Sequence, residues 1–68
     1  MGLTVGRLAK KFGLSRSTLL YYDRIGLLSP TVHAKGEYRI YGKEEEKRLE
    51  LICSYRAAGI GLKNIRQI

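Results

Sequence analysis

The sequence predicts a mostly α fold with a small β-hairpin wing: a winged helix-turn-helix followed by a helical pair. Three observations carry that prediction. Two short amphipathic segments are separated by nothing more than Gly13 and Leu14 before a capping serine at Ser15. A β-forming run, Tyr38-Arg39-Ile40-Tyr41, lies beyond a proline-broken stretch. A third apolar stripe is closed by Gly59 and followed by a short fourth segment. The helix-turn-helix takes about residues 4–25, the wing about 27–41 and the helical pair about 43–68.

The first helix starts at Thr4, whose hydroxyl can cap it, and runs to about Phe12. Val5, Leu8, Ala9 and Phe12 stand at i, i+3, i+4 and i+7, one face of a helix. Lys10 and Lys11 fall in the last turn, where the helix dipole favours positive charge, and Gly13 stops the chain. The second helix is capped by Ser15 and ended by Gly26. At about 100° per residue Leu19, Tyr22, Thr18 and Ile25 share one arc. Arg16, Leu20, Arg24, Ser17 and Tyr21 share the other, with Asp23 at its edge. Two guanidiniums, a hydroxyl and a phenol on an outer arc suit a nucleic-acid groove. A corner between two helices of an unrelated bundle would share the tight turn but would not require the basic face.

Pro30 pushes Ser29 into an extended conformation, and residues 31–37 read as a loop turning at Gly36. A short strand near Leu28 is expected to pair with Tyr38-Arg39-Ile40-Tyr41. A hairpin of this kind lies flat against a phosphate backbone, and Lys35 and Arg39 are placed for that contact. Gly42 opens the third helix, which continues to about Ala58 with Glu44, Glu45 and Glu46 in its positive first turn. Glu44 and Arg48 form an i,i+4 pair in the favourable order. Leu49, Ile52, Cys53 and Arg56 form a stripe that Leu51, Tyr55 and Ala58 widen, so Cys53 reads as a small buried hydrophobe, with Ala57 beside it. Beyond Gly59 and Gly61, Leu62 and Ile65 have core spacing, whereas Lys63 and Arg66 are left to face a phosphate. The pattern stops at an apolar Ile68 without a cap, as expected of a chain cut from a longer one.

Composition narrows the class. Thirteen Lys and Arg against six Asp and Glu in 68 residues give a formal charge of +7, which calls for a polyanionic partner. Residues 1–41 hold seven bases and two acids, the rest six and four, so the phosphate-facing surface is expected mostly in the first part. One cysteine and one histidine cannot assemble an intrachain disulfide or a zinc site, and the acidic run is consecutive and diverging rather than metal-binding. No membrane-spanning run, signal peptide or cofactor motif is legible, and nothing pairs a nucleophile with a base; neither enzymatic activity nor a cofactor is expected, and the cytoplasm is the expected location, in association with the nucleoid.

The pieces TVGRLAKKFGLSRSTLLYYDRIGLLSP, GEYRIYG and RLELICSYRAAGIGLKNIRQI, in this order and at this spacing, resemble the DNA-binding domain of MerR-family transcription regulators over essentially the whole chain. The resemblance implies recognition-helix contacts at Arg16, Ser17, Thr18, Tyr21 and Tyr22, wing contacts at Arg39 and Tyr41, and a second-wing contact at Lys63. Tyr22 is assigned to the core by its arc, so its ring would pack inward while its hydroxyl reaches a phosphate. Leu20 stands where the family usually has Arg, and an apolar contact to a thymine methyl is the alternative role. Glu46 replaces a usual apolar residue, and Gly42 and Gly61 replace usual capping hydroxyls.

By the same resemblance a dimerisation helix and an effector domain lie beyond residue 68. The whole protein would then be a homodimer that binds a promoter palindrome, distorts it and acts with RNA polymerase, and residues 1–68 alone would be monomeric. The other readings are an architectural or excisionase-like DNA-bending protein and an anionic-membrane module. The second of these leaves the order of turn, helix and wing unexplained.

Overall fold

The computed structural model describes residues 2–33 and 39–68. Within them the order is β1 (Leu3–Thr4), α1 (Val5–Phe12), α2 (Arg16–Arg24), β2 (Val32–His33), β3 (Arg39–Tyr41), α3 (Lys43–Ala57) and α4 (Leu62–Gln67). The strands form an antiparallel sheet in the order β1-β3-β2, with Leu3 opposite Tyr41, Thr4 and Val32 opposite Ile40, and His33 opposite Arg39. The hairpin partner of β3 is therefore Val32–His33, within the stretch read as loop, and the position near Leu28 is not a strand. Leu28 is 2% exposed and belongs to the core. Strand β1 was not foreseen, because two residues carry no readable period. Lys35, the turn at Gly36 and the strand start at Tyr38 lie outside the described residues.

Local rules set the helix ends. Thr4 Oγ1 accepts from the Arg7 N–H at 3.3 Å, and Ser15 Oγ accepts from the Thr18 N–H at 3.1 Å. After α1 the chain turns at Gly13 (φ 68°), where the Gly13 and Leu14 N–H groups donate to the Lys10 and Ala9 carbonyls. After α2 it turns at Gly26 (φ 74°) with the same pair of bonds, from Gly26 to Asp23 and from Leu27 to Tyr22. A side chain at either glycine would be strained by the left-handed backbone. The second turn carries Leu27 straight into the core, where Arg48 Nε of α3 donates to its carbonyl at 2.9 Å.

The core gathers Val5, Leu8 and Ala9 of α1, Leu19 and Tyr22 of α2, Leu27, Leu28, Tyr41, Leu49, Ile52 and Ile65. The face of α3 is narrower than the stripe predicted. Leu51 is 54% exposed, Arg56, Ala57 and Ala58 are exposed, and Cys53 and Tyr55 are half-buried against the core. Among the described residues no helix is long and apolar enough to cross a membrane.

The start of α3 shows how Gly42 serves without a capping hydroxyl. Its N–H donates to Glu45 Oε1 at 3.0 Å and to Thr31 Oγ1 at 3.1 Å, while the Thr31 hydroxyl donates to the same carboxylate. A Cβ at Gly42 would stand 3.0 Å from both oxygens, so glycine leaves room for the clasp. Glu46 pairs with Lys11 at the end of α1, which accounts for an acid where an apolar residue was expected. Both partners are substantially exposed, so the pair orients more than it stabilises.

Two predictions follow from this packing. Burial pushes the Cys53 thiol above its ordinary range, so alkylation of the folded chain at neutral pH should be several-fold slower than of the urea-unfolded chain; equal rates would contradict the packing. The Thr31 hydroxyl, helped by the Gly42 N–H, holds the Glu45 carboxyl below its usual range. A depressed folded pKa contributes stability that is present above the unfolded pKa and lost as pH falls through the folded one. Thr31→Val should therefore melt lower than the parent at neutral pH, with the gap closing in acid. A gap independent of pH in thermal melts would assign Thr31 a packing role alone.

Candidate nucleic-acid interface

Helix α2 presents Arg16, Ser17, Tyr21 and Arg24 to the surface, with Tyr21 47% exposed. The Arg16 stem passes α1 at Gly6, where a Cβ would lie 3.9 Å from its Cδ, an ordinary packing distance. Thr18 is half-buried, and its Oγ1 lies 2.9 Å from Ser15 Oγ within the cap. Its first task is to hold the helix start.

Helix α4 leans over the end of α2. Tyr21 and Ile25 of one and Leu62, Lys63, Arg66 and Gln67 of the other line a cleft of about 390 Å³. The Arg66 guanidinium lies above the Gly26 turn, with Nη2 3.6 Å from where a Cβ would stand. Leu62 is half-buried and Ile65 is 2% exposed; they fix α4 to the core and leave Lys63 and Arg66 exposed. Spacing alone identified that pair of cations, but the resemblance assigned only Lys63. The basic surface thus adds Lys63 and Arg66 of α4 to the cations of residues 1–41. A periodicity within one helix cannot reveal which two helices will flank a cleft.

Three assignments meet a different geometry. Tyr22 is 6% exposed, and burial pushes its phenol up, with Arg56 opposing and Cys53 adding to the shift. The hydroxyl therefore feels α3, and the ring is core rather than a reach toward phosphate. Tyr41 is 1% exposed with its hydroxyl buried, so it is not an accessible contact as the fold stands. Leu20 is half-buried against the core instead of standing clear on the outer arc. Arg39 has 22% of its side chain exposed and places Nε 3.6 Å from Asp23 Oδ2. The cleft and the outer arc of α2 together offer exposed guanidinium, ammonium, hydroxyl and phenol groups, the donor set that phosphates and base edges accept.

Comparison with known proteins matches this chain over residues 3–68 to the family described as MerR HTH family regulatory protein. A transcriptional regulator of Haemophilus influenzae, the ZntR homolog, is 35% identical over 66 residues, covering 97% of this chain and 49% of the relative. The N-terminal part of MtaN, the Bacillus subtilis multidrug transporter activator, superposes with a TM-score of 0.88 at 32% identity, covering 96% of this chain and 61% of that one. HiNmlR, a MerR family regulator lacking the sensor domain and solved bound to promoter DNA, superposes at 0.86 with 30% identity, covering 98% and 53%. The chain spans about half the length of the curated relatives it matches.

Proposed function

Because the chain belongs to the MerR helix-turn-helix family of regulatory proteins, we propose that it is the sequence-specific, double-stranded DNA-binding domain of a transcription regulator. The observation that carries this reading is the continuous basic surface formed by α2 and the α2–α4 cleft. Arg16, Ser17, Tyr21 and Arg24 enter the major groove as the outer face of the recognition helix. Lys63 and Arg66 take a backbone phosphate at the mouth of the cleft, with Tyr21 beside it, and Arg39 takes another from the wing. Leu20, half-exposed, is left at most an apolar base contact. The binding of HiNmlR to promoter DNA supports the same docking here. The architectural reading is not favoured, since the relatives are named as regulators and are about twice as long.

The division into helix-turn-helix, wing and helical pair belongs to the same proposal. In the whole protein, a dimerisation helix beyond residue 68 holds two such domains on a promoter palindrome in the cytoplasm, where distortion of the DNA lets RNA polymerase act. No catalytic step is assigned to any residue.

The test is a contrast between two arginines. Arg16→Ala should relax base preference at one position and cost about 1–3 kcal/mol on the preferred duplex. Arg66→Ala should weaken all duplexes alike and reduce the slope of log K against log salt by about one. Duplexes selected from a random pool supply the preferred sequence; unchanged selection and affinity in Arg16→Ala would remove α2 from the groove.

Assembly gives a separate check. One recognition helix reads one half-site, and linking two modules raises avidity by roughly 10²–10⁴ through effective concentration. Residues 1–68 should sediment as a monomer and bind whole and half palindromes with similar, strongly salt-dependent affinity. A chain extended through the next helix should gain on the whole palindrome alone. A stable dimer of residues 1–68 would contradict this.

A further inference from the structure

In the polar cluster where the wing meets the recognition helix, Asp23 has no role in the reading above. Asp23 sits in the last turn of α2, and its Oδ2 lies 3.6 Å from Arg39 Nε on β3. Among the described residues Arg39 Nε is buried without a hydrogen-bond partner, so the Asp23 carboxylate meets it as an ion pair, although 22% of the side chain is exposed. The exposed part therefore lies on other atoms of the side chain. Two residues along the same strand, the Tyr41 hydroxyl is also buried without a hydrogen-bond partner among the described residues. Burial raises its pKa, the Asp23 carboxylate raises it further and Arg39 opposes them, so all three groups share one electrostatic neighbourhood.

The packing around this cluster makes it a joint. Strand β3 is held by β1, β2, α1 and α3, and α2 packs chiefly on α1. The described backbone thus fixes the wing strand and the recognition helix each to α1, and side chains must set one against the other. A guanidinium offers five N–H donors, so a carboxylate at Nε leaves the terminal nitrogens to a phosphate.

We propose that Asp23 is a positioning residue for DNA binding: it holds Arg39 through Nε so that wing and recognition helix engage the duplex as one unit. The inference rests on the DNA-binding reading and on Arg39 as a phosphate contact. Asp23 touches no DNA in this scheme; it acts through Arg39. Simple electrostatics predicts the reverse, since removing an acid beside DNA should strengthen binding.

The test measures affinity of the 68-residue chain and its variants for a selected duplex across a salt series, with thermal melts as a folding control. Asp23→Asn should weaken binding about three- to tenfold and flatten the salt slope by about one, as Arg39→Ala does. In the Arg39→Ala background Asp23→Asn should change nothing further. Arg39→Lys keeps the charge but carries it on a single nitrogen, which cannot both pair with Asp23 and reach a phosphate, and should lose affinity to a similar extent even if Asp23→Asn fails to fold. Tighter binding by Asp23→Asn, additive losses in the double variant, or full affinity of Arg39→Lys would each overturn the positioning role. If Arg39→Ala binds as the parent does, the wing contact falls and the proposal with it; if the parent chain binds no duplex, the DNA-binding reading itself fails.

Discussion

Strand β3 is the constraint on which the rest of the molecule depends. It is paired on both edges, and its register with Leu3–Thr4 and Val32–His33 leaves it no freedom to slip. Side chains alternate along a strand, so once Tyr41 is committed to the core Arg39 must lie on the same face. This is why Arg39 meets Asp23 instead of projecting free into solvent, as a wing arginine read from sequence would. It also explains the burial of Tyr41. A position that the family resemblance made a DNA contact is here one of the largest fully buried side chains, and it links β3 to the helices beneath.

What was legible in the sequence was local. Thr4 and Ser15 cap helices because a hydroxyl at that position satisfies an otherwise unpaired N–H, and Gly13 and Gly26 end them because the chain must turn through positive φ. Those residues set the helix-turn-helix within a residue or so. Illegible were features set by neighbours from elsewhere in the chain. The strand partner moved from Leu28 to Val32–His33 because the turn at Gly26 feeds Leu27 and Leu28 into the core before the chain can extend. Leu20 lost its place on the open arc, and Leu51 gained exposure, because a helical wheel weighs spacing and knows nothing of which side a neighbour occupies. Arg66 was visible as a cation, but its position over Gly26 depends on where α4 docks.

Two departures from the family pattern, Gly42 and Glu46, bring tertiary contacts of their own. A hydroxyl at position 42 would accept from an N–H of the first turn of α3, which here has no side-chain cap; Glu45 and Thr31 instead hold the Gly42 N–H itself, and Thr31 comes from the wing. The helix start is thus held partly from another element, which ties the wing to α3. Glu46 likewise answers Lys11 across the gap between α1 and α3. A substitution that looks weakening in sequence can exchange a local cap for a tertiary contact.

The same exchange decides where the net charge of +7 is felt. In the cleft between α1 and α3, Lys11, Lys43 and Lys47 are interleaved with Glu46 and Glu50, so positive charge there is largely answered. In the cleft between α2 and α4 the lining holds Lys63 and Arg66 with no acid, and Arg16 and Arg24 stand exposed along α2. Asp23, the acid of α2, lies against Arg39. Charges of one sign gathered on one face act together on a polyanion, whereas the same number mixed with acids largely cancels beyond a Debye length of about 8–10 Å. The acids of this chain do not simply dilute its positive charge. Among the described residues Glu46 and Glu50 lie in the cleft between α1 and α3 and Asp23 at the wing joint, so the α2–α4 cleft is lined by cations without an acid, the charge arrangement that the proposed docking face requires.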